Sequence, residues 1–501
     1  MVAGPCRLLK SWHKVQGMSQ MGPATSNRIR NAVILACAVD AADKALLPAT
    51  FKALSMTMHV GAKELGALTF AQSIAFSLAM PIWGSLLRYF PARELLIGGC
   101  CLWGSSTLMI ALTSTFAQQF LLRLVNGAAL AAVNPLGQAM LCDVIPEEQR
   151  GRAFGLVASA SSALAMLVGA GATAMASRTI GGMVGWRLAH AVVAAASFAV
   201  AQRLHVAIPA SPCAPQNPPG TSWLSEQKQV VRMILKKPSF VLLVLQGVTG
   251  GIPWNGFAFL PLFFQLSGYT DWQAGQIVFI GGIGGAIGGY LGGWLGDHFG
   301  KLYADTGRVA TAQASVLFGI IFFTWVMNVP FGPSSFLTVS AAFFLFQISA
   351  CWTPAAACRP ICGAIFRDNR DRAQVLALWI ALEGISASVL GAPLAGVLSE
   401  SFGFKLSGDT SAAAAAGEQS LGALRQALLA VAMAPWVLCF LAWTPMYWTL
   451  PKDRCLEEDA VGAQGEAEDE CETVGLRTGV GRHEGGETCK PLPMQIGSRA
   501  A

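Results

Sequence analysis

From Asn31 to Leu450 the chain runs as apolar blocks of about twenty residues, separated by short polar or Gly/Pro-rich breaks. A hydrocarbon core about 30 Å thick is crossed by about twenty helical residues, so each block is long enough to span it. Strands fit poorly, because the blocks are too long and show no period-2 alternation. Taking charges and turn residues as boundaries predicts helical spans over 31–54, 66–87, 94–113, 118–142, 153–177 and 186–207, then 239–266, 273–296, 308–330, 335–362, 373–399 and 425–450. The break at 208–238 is longer. It holds Ser211-Pro-Cys-Ala-Pro-Gln-Asn-Pro-Pro-Gly220, then Lys228, Arg232, Lys236 and Lys237. It reads as a cytoplasmic linker between two six-helix bundles, with a short amphipathic helix on the membrane surface. The predicted organisation is a basic tail (1–30), a first bundle (31–207), the linker (208–238), a second bundle (239–450) and an acidic, disordered tail (451–501).

Composition sharpens this. Of 501 residues, 53% are hydrophobic and only 12% charged, against about 25% charged in soluble domains. A soluble enzyme, a disordered chain and a small disulfide scaffold are all excluded. The thirteen Cys are scattered and form no CxxC. Cys358 and Cys362 lie one turn apart without a second ligand pair, so no metal site is expected. There is no Walker A, HExxH or nucleophile elbow. Gly282-x-Gly284 begins a nucleotide-like pattern, but Ile287 holds the third glycine position. Neither catalysis nor a cofactor is predicted.

Charge supplies orientation. With a cytoplasmic N-terminus, the cytoplasmic tail and loops before the last span hold nineteen Lys/Arg, and the opposite loops six: Lys52, Lys63, Arg178, Arg187, Lys405 and Arg425. The positive-inside rule then puts both termini in the cytoplasm. Neither end shows a cleavable leader, so the first span is expected to act as the internal signal. The basic patches lie at the membrane face and imply no nucleic-acid partner.

The halves repeat one another. Asp143-Val-Ile-Pro-Glu-Glu-Gln-Arg-Gly-Arg-Ala153 follows span four, and Gly363-Ala-Ile-Phe-Arg-Asp-Asn-Arg-Asp-Arg-Ala373 follows span ten at an offset of 220. Leu46-Leu-Pro48 in span one matches Phe259-Leu-Pro261 in span seven at an offset of 213. Related halves place a binding site at their interface near the midplane.

Span four reads Arg123-Leu-Val-Asn126-Gly127, and its loop ends in Arg150-Gly151-Arg152. After span eight comes Gly293-Trp-Leu295-Gly-Asp297-His-Phe-Gly300-Lys301. Together with the twelve spans, these motifs resemble the major facilitator superfamily across 31–450. The Asp/Lys group in span one and Gly185-Trp186-Arg187 resemble its Spinster-like and plant-type branches. The resemblance implies an all-α, twelve-helix transporter of two pseudo-symmetric bundles, with spans one, four, seven and ten lining a central cavity. It also implies gating loops, involving Asp297, Lys301, Arg367 and Arg370 in one half and Arg93, Asp143 and Arg150 in the other. The loop after span two departs from the pattern, with Arg88 in the Asp position and Pro91 in the Gly position. A pair between Arg93 and Asp143 is the expected substitute.

An ionisable side chain near the bilayer centre costs at least about 2.5–3.5 kcal/mol on insertion scales, so each one asks for a role. Asp40 lies about 15 Å along the helix from Arg30, and Lys44 about 21 Å. The two are four apart, acid first, the favourable order for an ion pair. They either neutralise each other and pack, or face a cavity with Asp43. Arg123 should lie at a similar depth, facing Asp43 or water. Glu383 is mid-span in span eleven without a local counter-charge, which suits reversible protonation. Trp254 and Asn255 follow a Gly- and Pro-loosened turn of span seven and would offer a ligand one plate and one amide. The candidate lining is therefore Asp40, Asp43, Lys44, Arg123, Asn126, Trp254, Asn255 and Glu383. The expected function is secondary transport, by a monomer in the bilayer, of a small polar, zwitterionic or amphiphilic solute with a proton as coupling ion. The alternative is a receptor or scaffold on the same fold, which would have no need of the central charges.

Overall fold

The computed structural model describes residues 23–87, 89–145, 147–209, 228, 231–232, 234–304, 306–366, 369–405 and 413–455. The tail expected to be disordered over 451–501 is helical at 451–455, where the last span continues past Leu450; 456–501, most of the 208–238 linker, Arg88 and Arg367 lie outside the described residues, as do the side chains of Asp143, Arg150 and Arg370.

Among the described residues, twelve helical passes appear. Span one is Pro23–Ala49 continued by Phe51–Met58. Spans two and three are Ala62–Leu86 and Ala92–Leu112. Span four is Phe116–Leu130 with Val133–Val144, span five Glu147–Met175 and span six Gly185–Ala207. Span seven runs through Pro238–Gly256, a 3-10 turn Phe257–Phe259 and Leu260–Leu266; spans eight and nine are Asp271–Leu302 and Gly307–Asn328. Span ten joins Phe336–Ala350 to Arg359–Ile365 through a π-helical turn at Pro354–Cys358. Span eleven is Asn369–Leu390 with Ala392–Ser401, and span twelve Ala413–Trp443. Ten segments among the described residues are long and apolar enough to cross a membrane. The other two passes are spans one and six, which carry Asp40, Asp43 and Lys44, and Arg187, His190 and Arg203 respectively. The one sheet among the described residues is a hairpin before span six, pairing Thr179 with Val184 and Ile180 with Met183.

Span one starts eight residues before its expected boundary, since Arg28 and Arg30 continue the helix into the polar phase rather than ending it. Four spans are interrupted in matching pairs. Pro48 and the Thr50 break in span one correspond to the 3-10 turn and Pro261 in span seven. The break at Ala131–Ala132 in span four lies 220 positions before that at Cys351–Trp352 in span ten, the offset of the loop repeat. Interrupted helices in corresponding places mark the binding region of repeat-built carriers.

Lipid offers no hydrophobic driving force between helices, so they associate through close contact and polar ties. One glycine row of span eight (Gly284, Gly288, Gly292, Gly296) lies on the backbone of span ten; a Cβ on Gly288 would fall 2.4 Å from the Ile348 carbonyl. Among the described residues, the side-chain hydrogen bonds that cross between halves lie at the end distal to the chain termini. Lys52 Nζ meets Asp271 Oδ1 at 2.8 Å, and the Lys63 amide donates to Glu400 Oε1 at 2.9 Å. Glu64 Oε2 accepts from the Gly61 amide at 2.9 Å and completes that helix start. At the opposite end, the described polar ties stay within each half. Arg93 bonds Glu94 at 2.5 Å, the Ile208 carbonyl at 2.8 Å and His205, and so anchors span three to span six. The side chain of Asp143, the partner expected for Arg93, lies outside the described residues. Asp297 pairs with Arg308 at 2.6 Å, across the turn to span nine, and Arg308 also donates to the Ala356 carbonyl at 3.0 Å. Lys301 is exposed one turn further on.

Candidate functional site: a buried polar network and an inter-half cavity

In the N-terminal half, spans one, two, three, four and six contribute to one hydrogen-bonded network. Asp43 is fully buried; its Oδ2 accepts from Thr107 Oγ1 at 2.6 Å, and its Oδ1 from Asn126 Nδ2 at 3.4 Å. Asn126 also donates to Thr107 at 2.9 Å and to Ser106 at 3.3 Å, while its Oδ1 accepts from Gln72 Nε2 at 2.9 Å. Gln72 Oε1 in turn accepts from Arg123 Nη1 at 3.4 Å. Arg123 Nη2 lies 2.9 Å from His190 Nε2, and His190 Nδ1 lies 2.8 Å from the Trp186 carbonyl. Arginine can only donate, so His190 Nε2 accepts, and Nδ1 carries the hydrogen given to Trp186.

The spacing Arg123-x-x-x-Gly127 has a steric reason. A Cβ on Gly127 would fall 2.0 Å from the Gln72 carbonyl, so glycine alone lets spans two and four approach closely enough for Gln72 to bridge Arg123 and Asn126. The expected direct contact of Arg123 with Asp43 is absent among the described residues. Gln72 and His190 occupy the guanidinium, and Thr107 and Asn126 occupy the carboxylate.

Asp40 and Lys44 form the ion pair read from their spacing, at 2.7 Å. Asp40 Oδ1 is buried without a hydrogen-bond partner among the described residues. Lys44 Nζ also sits 4.1 Å above the ring of Phe76, a cation–π contact that reaches the edge of the central cavity. That cavity, about 190 Å³, lies between the halves, walled by span two (Ser73, Phe76, Ser77), span seven (Asn255) and span eleven (Ile380, Gly384).

Asn255 has a second task. Its Oδ1 accepts from the Ala392 amide at 3.0 Å and caps the second segment of span eleven beyond the Gly391 break. Trp254 does not join it on the cavity wall. It packs against Phe257, Phe346 and Trp436, with ring centroids 5.5, 6.2 and 6.4 Å away, at the exposed edge of the aromatic cluster of the C-terminal half. Neighbours on one helix differ by about 100° in direction, so Asn255 lines the cavity wall and Trp254 does not.

Glu383 is half-buried on span eleven, beside the cavity residues Ala381 and Gly384. Its side chain lies against Gly247 and Gly251 of span seven, where added Cβ atoms would come 3.3 Å from Oε2 and 3.0 Å from Cγ. Its carboxylate has no hydrogen bond or ion pair among the described residues. Within the same layer, Gln246 Nε2 bonds the Leu243 carbonyl at 2.9 Å and approaches Cys358 Sγ at 3.5 Å. Sequence reasoning passed over His190, Gln72, Thr107 and Phe76. Of these only His190 left a signal, as a lone imidazole in an apolar run. It also passed over Arg359, an exposed cation within the predicted tenth span.

Residues 33–352 match the family model described as Major Facilitator Superfamily. A 95-residue stretch is 25% identical to an uncharacterised MFS-type transporter, YfiU, of Bacillus subtilis (strain 168); it covers 19% of this chain and 18% of that protein. Among solved structures, the fold is similar to a bacterial homologue of the human lysosomal transporter Spinster in its inward-facing, unoccupied conformation. The TM-score is 0.71 at 17% identity, over 87% of this chain and 99% of the other. A D-xylose–proton symporter gives a TM-score of 0.63 at 16% identity, covering 85% and 98% of the two chains. The nucleoside transporter NupG gives 0.61 at 13% identity, covering 85% and 99%.

Proposed function

The chain belongs to the Major Facilitator Superfamily, and from that premise we propose that it carries a small polar, zwitterionic or amphiphilic solute across a membrane by alternating access, driven by a proton. The observation that carries this reading is the asymmetry of charge around the inter-half cavity. One wall bears the Lys44 ammonium over Phe76, already matched to Asp40. The other adjoins Glu383, a carboxylate with no partner among the described residues. A carboxylate held by two hydrogen-bond donors, as Asp43 is, has fixed work in holding the half together. A carboxylate left against two glycines is available to take up a proton or the cationic group of a solute, and to release it when the halves rearrange. Protonation would remove its charge before it moves through the low-dielectric interior. Proton coupling is also named for one protein of similar fold, the D-xylose symporter.

The distal ion pair and capping contact support a cycle in which the halves rock about the cavity. Asp297, Arg308 and the loop after span ten would act at the opposite end. We place both termini in the cytoplasm and take the monomer as the working unit. A cysteine at Pro218 should then resist an impermeant external reagent.

The test is uptake by purified protein in liposomes, with and without an imposed pH gradient, across a panel of sugars, nucleosides, amino acids and lysolipids. Glu383→Gln should retain solute exchange while losing the pH dependence of net uptake. A wild-type pH profile in that variant would assign Glu383 to structure and pass the role to Asp40. Solute binding without uptake at any gradient would favour a receptor.

A further inference from the structure

Spans five and six both pack on span one, yet between them they leave a strip of it uncovered, including Asn31 and Leu35. The resulting groove has a volume of about 330 Å³ and is walled by Ile34, Leu35 and Ala38 of span one and Ala160 of span five. That volume falls within the roughly 300–1,000 Å³ range of ligand pockets. It is separate from the inter-half cavity. It opens on a flank that carries exposed apolar residues, among them Leu156 and Leu167 of span five and Val192 and Val206 of span six.

One end of the groove is polar and cationic. Asn31 and Arg203 line it directly. Arg30 donates from both Nε and Nη2 to Asn31 Oδ1, each at 3.2 Å, which holds a second guanidinium at the same mouth. Spans one and five begin at this end and span six finishes there, so exposed Arg28 and Arg152 lie at the same level. Among the described residues, no carboxylate pairs with Arg30 or Arg203. Two guanidiniums with no counter-anion among the described residues, at the head of an apolar slot open to the membrane, are complementary to a phosphate attached to a chain.

We propose that this groove binds one anionic phospholipid, with its phosphate between Arg30 and Arg203 and an acyl chain along Ile34, Leu35, Ala38 and Ala160. A guanidinium suits the phosphate because its fork of N–H donors matches two oxygens at once. A free anion would gain the same polar contacts but leave the apolar slot empty, so the lipid is the favoured occupant. The charge bias places this mouth at the cytoplasmic leaflet, where anionic lipids concentrate. Bound there, the lipid would tie span one to spans five and six and brace the N-terminal half.

The experiment uses the full chain purified in a neutral detergent, titrated with phosphatidylglycerol, phosphatidylcholine or inorganic phosphate, with thermal unfolding and native mass spectrometry as readouts. Phosphatidylglycerol should raise the melting temperature in a saturable way and remain as a single retained adduct, whereas phosphatidylcholine and phosphate should not. The double variant Arg30→Gln/Arg203→Gln should melt like wild type in phosphatidylcholine yet bind phosphatidylglycerol about thirtyfold more weakly, as the loss of two interfacial cations implies. Lys236→Gln, an exposed cation outside the groove, should leave binding unchanged. Equal stabilisation by the two lipids, undiminished binding in the double variant, or equal weakening by Lys236→Gln would overturn the site. A shift with inorganic phosphate alone would overturn the lipid assignment. If the double variant fails to fold, Ala160→Trp, which fills the slot and leaves both cations in place, should abolish the retained adduct; its persistence would equally overturn the proposal.

Discussion

Replacing Lys52 by alanine should bias the protein toward opening at the end distal to its termini. Lys52 and Asp271 tie the two halves together at 2.8 Å, with side chains 29% and 16% exposed. Exposed ion pairs are worth about 0.2–1 kcal/mol, whereas removing one partner of a buried pair costs about 3–5 kcal/mol. This pair lies between those limits. Asp271 keeps a 3.0 Å hydrogen bond from Gln265 and a place in the first turn of span eight, so the loss of Lys52 does not orphan its carboxylate. Those remaining partners argue for the lower part of the range, about 1.5 kcal/mol, or roughly a tenfold change in the ratio of closed to open forms. Spin labels at Met56 and Phe402, both exposed, would report it by pulsed electron resonance as added population at long distance. Lys52→Arg should keep the wild-type distribution. Identical distributions for wild type and Lys52→Ala would refute the reasoning, and the tie would then be incidental.

Three further outcomes follow from the same geometry. Thr107→Val removes the 2.6 Å donor to Asp43 and should destabilise the protein by about 1–3 kcal/mol in thermal unfolding, with Thr107→Ser close to wild type. Gly127→Ala forces a Cβ to 2.0 Å from the Gln72 carbonyl and should cost about 1–3 kcal/mol or abolish expression, whereas Gly98→Ala, with open space around it, should be silent. Asn255→Ala uncaps the second segment of span eleven, with an expected loss of about 0.5–2 kcal/mol in unfolding and slower uptake; Asn255→Asp, which keeps the acceptor, should recover stability.

The spans and the Asp40–Lys44 pair were legible because each depends on spacing along one helix, and the two-bundle fold because its loop motif recurs at an offset of 220. Glu383 was legible as a lone acid for the same reason. What escaped was everything set by the rotation of one helix against another. Asp43 and Arg123 share a depth but not a contact, because Gln72 and Asn126 stand between them. Trp254 and Asn255 are adjacent in sequence, yet only Asn255 lines the cavity, a division that span seven's packing decides. Arg93 meets the end of span six, since helix ends that come together are not marked by the residues at them. His190 completes the Arg123 network from the sixth span, and only the assembled half brings it there.

One contact at the distal end has a consequence for how the protein's motion can be observed. The amide of Lys63, in the first turn of span two, is satisfied by Glu400 of the opposite half rather than by any residue of its own. Separating the halves there must leave that amide to water, while the Gly61 amide keeps its local acceptor in Glu64. Lys63 therefore carries a hydrogen whose exchange with deuterated solvent requires the distal end to part, next to one that does not. The difference in protection between these two amides measures the opening equilibrium in the unlabelled wild-type protein.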